Sequence, residues 1–284
     1  MKRIYSYSND KGILYLVATP IGNLSDMTYR AVETLKSVDV IYAEDTRNSV
    51  FLLKHFDIET KLLSYHEFNK ELKESEIINR LKSGENVAII SDAGLPVISD
   101  PGYDIAVACI KNDIPVTPIP GASAGISGLI ASGIKPQPFT FVGFLDSKTT
   151  KRKKELEDLK YLKSTIIFHE APHRIKECLL DMKEVLGDRY ICIARELTKK
   201  YEEFIRGNIS EILESVDSIK GEMVVIVEGY KEEAKSLDPM AEIDQLVNLG
   251  YKPKEAIKEI ASMLNLNKQD LYKQYINYKE ASKK

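Results

Sequence analysis

The sequence has no tryptophan, and only three cysteines and four histidines occur among its 284 residues. Cys109, Cys178 and Cys192 are far apart in the chain and form no CxxC pair. That spacing does not suit a zinc ligand set or a disulfide framework. Cys109 and Cys192 lie in apolar runs, so we expect them in the core. The composition therefore favours a cytoplasmic protein without a bound metal.

Long hydrophobic stretches are also missing. No run reaches the roughly 18 apolar residues of a membrane span. Residues 1–11 are polar and lack the apolar segment of a signal peptide, so we expect none. The net charge of −3 excludes a general polyanion binder. Residues 148–163 are nevertheless locally basic, which would suffice to attract RNA to one surface.

Two common nucleotide-binding motifs are absent, because the chain has no GxxxxGK[ST] and no GxGxxG that opens a helix after a strand. The first 120 residues still alternate β-branched runs with helical patterns, which predicts a parallel sheet with helices. Strands are expected at residues 13–18, 38–43, 87–91 and 116–119, the last near an edge because prolines flank it. Helices are expected at residues 27–37, 51–56, 71–83, 103–112 and 122–132.

A proline-rich stretch, residues 135–138, marks the predicted end of this first domain. Beyond it, strands are expected at residues 139–144, 164–168, 190–195, 202–209 and 221–227, and helices at 151–162, 175–186 and 210–216. A polar linker, residues 231–237, precedes three amphipathic helices at 239–250, 254–264 and 268–278. The sequence thus predicts an α/β domain over 1–135, an α+β domain with a mixed sheet over 136–232, and a helical module over 233–284.

Loops rich in glycine and proline follow three of the predicted strands, at residues 19–24, 91–102 and 118–123. In parallel sheets, ligands bind outside the carboxyl ends of the strands. Each loop alone is also explained by the need to turn the chain. Three such loops at one edge favour a ligand held by backbone and small side chains.

These loops and several other segments form a set of motifs. They are LYLVATPIGNL at 14–24, AEDTR at 43–47, SDAGLPVISDPG at 91–102, residues 118–122, FHEAPHR at 168–174, ARELTK at 194–199 and GEMVVIVEG at 221–229. Together, over about residues 12–230, they closely resemble the ribosomal RNA small subunit methyltransferase I family. That family is the ribose 2′-O-methyltransferase branch of the tetrapyrrole-methylase superfamily. The chain departs from its pattern at Leu95, where threonine is more frequent, and at His169, where tyrosine is frequent.

The resemblance implies two α/β domains with S-adenosylmethionine in the cleft between them. It implies methyl transfer to the 2′-oxygen of a cytidine ribose in small-subunit (16S) ribosomal RNA. The partner would be this RNA or the assembled small subunit, and a homodimer is expected from the superfamily. The expected cofactor-binding residues are Pro20, Gly22, Ser91, Asp92, Ala93, Gly94, Pro120, Gly121 and Ala122.

Substrate contacts are expected from basic side chains, which bind RNA phosphates. The candidates are Arg47, Lys151, Arg152, Lys153 and Arg174. The cluster around Arg47 would also suit a helix N-terminus whose acidic residues complement the dipole. The basic run from Lys151 would also suit the solvated face of a helix, with Glu155, Glu157 and Asp158 as counter-charges.

The sequence does not identify the base that would take the ribose hydroxyl proton. Glu170, Asp45 and Lys199 are the candidates, in that order. Glu170 and Arg174 follow one strand of the second domain, while Glu196 and Lys199 follow another, so both groups are expected on the opposite wall of the cleft. Salt-bridged surface turns are the alternative interpretation for both groups.

Two other functions stay open at this point. The glycine loops would also suit a corrin or porphyrin C-methyltransferase of the same fold, although AEDTR and FHEAPHR argue against it by resemblance. The C-terminal helices would also suit a non-catalytic module that associates with ribosomes. An absence of methyl transfer to any RNA would favour the latter.

Overall fold

The computed structural model describes residues 3–7, 11–66, 70–100, 102–232 and 238–281. The chain forms two compact units, Met1–Tyr230 and Lys231–Lys284. The division falls at the start of the predicted linker, of which residues 233–237 lie outside the described part. Among the helices described, none combines the length and the apolar character needed to span a bilayer.

The first sheet of the larger unit is parallel throughout, with strand order β3-β2-β4-β1-β5. Its strands are β1 Leu14–Val17, β2 Val40–Ala43, β3 Leu62–Ser64, β4 Val87–Ile90 and β5 Val116–Ile119. Helices α1 Tyr29–Ser37, α2 Thr46–His55, α3 Lys70–Lys82 and α4 Tyr103–Lys111 connect them. Apolar clusters cover both faces of the sheet, which explains why β2 and β4 are continuous apolar runs. The predicted edge position of β5 is confirmed.

Two elements of this sheet differ from the prediction. Strand β3 was not expected, because three residues give too short a pattern to recognise. Helix α2 begins at Thr46 rather than at residue 51, because the carboxylate of Asp45 accepts a hydrogen bond from the Arg47 amide and caps the helix. The first turn of α2 is polar, so apolar periodicity could not detect it.

The second sheet is mixed, as predicted, with strand order β6-β7-β10-β8-β9. Its strands are β6 Phe139–Phe144, β7 Thr165–Glu170, β8 Tyr190–Arg195, β9 Glu203–Asn208 and β10 Met223–Val227. Only β6 and β7 pair in parallel, and the other neighbours are antiparallel. Helices α6 Thr149–Leu159, α7 Ile175–Leu186 and α8 Ile209–Leu213 supply apolar side chains to the core on one face of this sheet.

The other face of the second sheet is covered by α5, Ala124–Ser132. A side-chain carbon at Gly125 would lie 3.2 Å from Phe141 Cε2, and one at Gly128 would lie 3.3 Å from Ile226 Cδ1. Glycine therefore lets this helix approach the strands closely. The predicted boundary at residue 135 groups α5 with the first sheet. Because α5 packs on the second sheet, the division between the two sheets instead lies in the loop after β5.

The smaller unit contains three helices, α9 Pro239–Asn248, α10 Pro253–Met263 and α11 Lys268–Ala281. They share a core of their own that includes Ile243, Ile257 and Leu271. The Tyr275 hydroxyl donates a hydrogen bond of 2.6 Å to Asp244 Oδ1, which ties α11 to α9. The module therefore has its own apolar and polar connections.

Candidate active site

The first two glycine loops are hydrogen-bonded to each other at the carboxyl edge of the first sheet. The Thr19 amide donates to the Gly94 carbonyl at 2.9 Å, and the Gly94 amide donates to the Thr19 carbonyl at 3.1 Å. The Ser91 hydroxyl donates to the Gly94 carbonyl at 2.8 Å, and the Thr19 hydroxyl donates to the Ser91 carbonyl at 3.1 Å. The polar groups inside the loops are thus paired, and the loop shape is fixed by the protein itself.

The third loop meets the other two at Gly94. This glycine has φ +84°, and a side-chain carbon there would lie 3.3 Å from Ile21 Cγ2 and 3.5 Å from the Ala122 carbonyl oxygen. At Gly121 a side-chain carbon would lie only 2.8 Å from Ala18 Cβ. A side chain would clash at Gly121 and would crowd its neighbours at Gly94, so all three loops converge in one place.

A cavity of about 390 Å³ opens beside the first two loops. Its lining includes five of the predicted cofactor residues, Pro20, Gly22, Ser91, Asp92 and Ala93. The other four, Gly94, Pro120, Gly121 and Ala122, do not line it. The lining also contains residues that were not among the predicted cofactor residues, including Leu24, Asn48, Phe51 and Glu222. Asn48 and Phe51 follow Arg47 on α2. The sequence did not place them at the site because the predicted helix began at residue 51 rather than at Thr46.

The N-terminus of α2 is anchored to the second loop. Asp92 Oδ2 accepts a hydrogen bond of 3.2 Å from Asn48 Nδ2, and Asp92 Oδ1 accepts one of 3.4 Å from the Asp45 amide. Asp45 binds Arg47 through two further contacts, 3.0 Å to Nε and 2.7 Å to Nη2. These hydrogen bonds lower the pKa of Asp45 to about 2. Asp45 therefore caps α2, as one of the two interpretations of this cluster predicted. The Arg47 side chain is nevertheless 87% exposed.

The long second loop also carries a carboxyl with an unusual pKa. Burial, and next the nearby carboxylates Glu44 and Asp92, raise the pKa of Asp100 to about 6. The backbone around it is left-handed at Val97, with φ +76°, and at Ser99, with φ +66°. Such angles are strained for side-chain-bearing residues and cluster at functional sites.

Lys199 forms the part of the cavity that the second sheet contributes, together with Glu222. The Lys199 ammonium lies 3.0 Å from Glu196 Oε1 and 2.9 Å from Glu222 Oε2. Burial lowers the pKa of Lys199, but the bonds to Glu222 and Glu196 outweigh this and leave it raised above the ordinary value. Lys199 is therefore a cation at neutral pH and not a base.

The turn that holds Lys199 fits closely against the first loop. Glu196 and Thr198 are both left-handed, with φ +49° and +67°. A side-chain carbon at Gly22 would lie 2.7 Å from Lys199 Cγ, so this glycine makes room for the lysine stem. Thr198 Oγ1 is buried and has no hydrogen-bond partner within the part of the chain that the structure describes.

Glu170 and Arg174 do not reach the cavity. Glu170 is buried and accepts hydrogen bonds from Arg174 Nε at 3.0 Å and from the Ala171 amide at 2.8 Å. Alternation along β7 places Glu170 on the same face as Phe168, whose side chain packs into the core under α7. The two residues form a structural ion pair, so we remove them from the catalytic and substrate-binding candidates.

The opposite face of β7 presents His169 instead. Its ring lies 5.2 Å from that of Phe141 and 5.4 Å from that of Phe144, measured between ring centroids. Burial lowers the pKa of His169. Its Nε2 atom has no hydrogen-bond partner among residues 3–7, 11–66, 70–100, 102–232 and 238–281.

The basic run on α6 does not form a continuous cationic surface. Arg152 is 1% exposed, and its guanidinium lies 2.6 Å from Asp181 Oδ2. Lys153 lies 2.7 Å from Glu184, whereas Lys151 is 66% exposed and 3.6 Å from Asp146. Arg152 therefore belongs to the core and is removed from the RNA-contact candidates. The exposed Lys151 keeps that assignment as an expectation.

Comparison with known protein families identifies the family of this chain. The model of the tetrapyrrole (corrin/porphyrin) methylases matches residues 13–213, and the chain belongs to this family. Solved structures of a cobalt precorrin-4 methyltransferase and of a diphthine synthase share the fold, with TM-scores of 0.57 and 0.60. They are 17% and 12% identical to this chain, cover 76% of it, and are covered themselves to 94% and 89%. The predicted fold class is confirmed.

Sequence relatives are more specific than the fold. Three proteins named "Ribosomal RNA small subunit methyltransferase I" resemble the chain over nearly its whole length. The one from Bacillus subtilis is 51% identical and aligns with 95% of this chain and 96% of its own. Those from Halalkalibacterium halodurans and Synechocystis are 49% and 43% identical, aligning with 95% and 92% of this chain and with 97% and 96% of theirs.

Proposed function

We propose that this protein transfers a methyl group from S-adenosylmethionine to the 2′-oxygen of a cytidine ribose in small-subunit ribosomal RNA. The observation that carries the proposal is the identity of 43% to 51% to proteins named as small-subunit RNA methyltransferases, over at least 92% of the chain. The solved cobalt precorrin-4 methyltransferase is only 17% identical, a similarity that shows the fold alone. An enzyme acting on RNA is therefore favoured over an enzyme acting on corrins.

The residues at the three loops fit S-adenosylmethionine. The glycines at 94 and 121 keep side chains out of the point where the loops converge. A cavity of about 390 Å³ is within the usual range for ligand sites. The first two loops would hold the cofactor through Pro20, Gly22 and residues 91–94, and the third through residues 120–122. When bound, S-adenosylmethionine supplies a sulfonium methyl that is already electrophilic.

The protein itself must position the ribose hydroxyl, because a reacting oxygen needs to lie about 3–3.5 Å from its target. Lys199 keeps its proton, so its role is to bind a phosphate or to stabilise negative charge on the ribose oxygen. Asp45 is a weak base, because Arg47 and the helix cap stabilise its ionised form. Asp100, with a pKa of about 6, would accept the hydroxyl proton more readily, but it does not line the cavity, so this role needs a direct test.

The acceptor in this proposal is the small-subunit RNA or the assembled subunit. The exposed cations Arg47 and Lys151 would contact its phosphates. A homodimer in the cytoplasm belongs to the same proposal. Exposed apolar side chains on the outer face of α5, Ile126 and Ile130, support a subunit contact there, and sedimentation at micromolar concentration would test it.

The function is tested by incubating the protein with methyl-labelled S-adenosylmethionine and small ribosomal subunits from cells that lack this gene. We expect label in the RNA, at a cytidine whose 3′ linkage resists alkaline cleavage, because a 2′-O-methyl group removes the attacking hydroxyl. Naked RNA and precursor corrins serve as parallel acceptors. Label in a corrin with none in either form of RNA would overturn the proposal, as would the absence of transfer to any acceptor.

A further inference from the structure

Phe51 is the most exposed apolar side chain in the lining of the cavity. It is 75% exposed, and Leu24, from the first loop, is 42% exposed in the same lining. Single exposed apolar residues are common on protein surfaces. Phe51 differs from these because its ring lies at the mouth of a cavity whose other residues are largely polar or small.

The helix under Phe51 is held firmly in place. The side-chain Nδ2 of Asn48 donates a hydrogen bond of 3.2 Å to Asp92 Oδ2, and the Ser49 hydroxyl donates to the Asp45 carbonyl at 3.0 Å. Leu53, on the inner face of α2, is buried in the core of the first sheet. The ring of Phe51 is thus carried by a helix that is anchored on two sides and is preorganised for contact.

Cationic groups accompany the ring. Arg47 precedes Phe51 by one helical turn, so both side chains emerge from the same face of α2. Lys199 is in the same cavity lining as Phe51. One of its two partners, Glu222, is 81% exposed, so the Lys199–Glu222 contact can open toward an incoming phosphate at little cost while the contact with Glu196 is kept. An apolar ring that shares a helix face with one cation and a cavity lining with another matches a nucleotide, which has a flat base and an anionic backbone.

We propose that the target nucleotide turns out of the RNA and that its base stacks on the ring of Phe51. Its backbone then lies toward Arg47 and Lys199. This inference rests on the proposed function, since it requires an RNA substrate. Turning a nucleotide out of its stack is unfavourable, and stacking on an aromatic side chain offsets that loss. Proteins recognise unstacked RNA bases in this way because every base has a π-face.

The test combines a substitution in the protein with a deletion in the RNA. Binding of small-subunit RNA with cytidine at the methylated position is compared with binding of the same RNA carrying an abasic nucleotide there. Phe51→Ala is expected to weaken binding of the cytidine RNA by roughly 5- to 100-fold, the range that one stacked base supplies. It should leave binding of the abasic RNA unchanged, and Phe51→Trp should restore the difference.

A matched control is Tyr161→Ala, which removes another exposed aromatic side chain, 67% exposed, before the amino end of β7 and away from the cavity. It should weaken neither RNA. RNA binding is measured without S-adenosylmethionine, because Phe51 also lines the cavity assigned to the cofactor. Equal weakening of both RNAs by Phe51→Ala, or no weakening of either, would overturn the stacking proposal. Failure of the parent protein to methylate any RNA would instead overturn the proposed function.

Discussion

The two sheets of the larger unit end in loops of opposite character. Loops after the first sheet use hydrogen bonds such as Thr19 to Gly94 to fix their own shape, and they border an open cavity. The polar ends of the second sheet are richer in charge, but most of that charge is paired internally, as in Glu170 with Arg174 and Arg195 with Glu203. A polar cluster after a strand is therefore weak evidence for function until the face of the strand is known.

The largest expected effect in this comparison is on stability. Arg152→Met removes the closest partner of the buried Asp181 carboxylate and leaves it only the longer contact of 3.6 Å with Lys153, so we expect a loss of about 3 kcal/mol in the free energy of unfolding. Urea titration measures it. The neighbouring Lys154→Met, at an exposed position, should change stability by less than about 0.5 kcal/mol. A stable Arg152→Met protein that binds RNA poorly would return Arg152 to the substrate site.

The next effect concerns ligand binding at the first sheet. Gly94→Val places a branched side chain where the three loops converge, and we expect at least a roughly 100-fold loss of S-adenosylmethionine affinity in calorimetry. Gly84→Val is the matched control, because φ is +94° there against +84° at Gly94 and the space around it is open. Gly84→Val should lose about 1–2 kcal/mol of stability from the left-handed backbone alone, and Gly94→Val should lose more because its side chain also crowds Ile21. Equal cofactor affinity in the two variants would remove Gly94 from the binding site.

A smaller effect is expected at Asp100, whose pKa of about 6 exceeds the ordinary value of 3.8. The folded state binds this proton more tightly than the unfolded state, so stability is lost as pH rises from about 4 to about 6. Asp100→Asn removes that loss. It should raise the thermal transition at pH 8 and change it less at pH 4.5.

The rise at pH 8 corresponds to about 1 kcal/mol, because Asp100 is only half-buried and solvent screens part of the shift. The same substitution at the exposed Asp158 is the control for exchanging a carboxylate for an amide. If Asp100 accepts the ribose proton, Asp100→Asn also lowers the methyl-transfer rate at pH 8. An unchanged rate in the more stable variant would exclude that role.

The smallest expected effect is on cofactor binding after removal of the C-terminal unit. Deleting residues 231–284 leaves both sheets of the larger unit intact, so S-adenosylmethionine affinity should change by less than about twofold. Methyl transfer to ribosomal particles should fall if the helices contribute to RNA binding. Loss of cofactor affinity in a folded truncated protein would show that the site depends on more than the two sheets.

Most of the fold could be predicted because continuous apolar runs mark buried strands such as β4, and apolar periodicity marks amphipathic helices such as α7. The same method failed where polar groups determine structure. Helix α2 starts at a cap made by Asp45, and Arg152 is buried within a run of basic residues because Asp181 approaches it from another helix. Sequence spacing contains no information about that tertiary contact.

The loops of the candidate site could be predicted from the sequence, but the other residues that line the cavity could not. Glycine and proline mark residues 19–24 and 91–102 because few other residues suit such turns. The contribution of Phe51 and Glu222 depends on where separate elements come together in space. Glu170 was misplaced because the side chains of successive strand residues point to opposite faces, and the sequence does not state which face is covered.

Helix α5 follows the last strand of the first sheet in the chain but packs on the second sheet. This packing determines how the chain can be divided into fragments. A fragment that ends at residue 135 would carry α5 without the sheet that covers it, exposing Leu129 and Ile134 to solvent. Such a fragment would tend to aggregate, because contiguous apolar surface is left uncovered. A cut within residues 120–123 would leave each sheet with its own helices. The same cut would sever the third glycine loop, residues 118–123. Ligand binding should therefore return only when the two pieces reassemble.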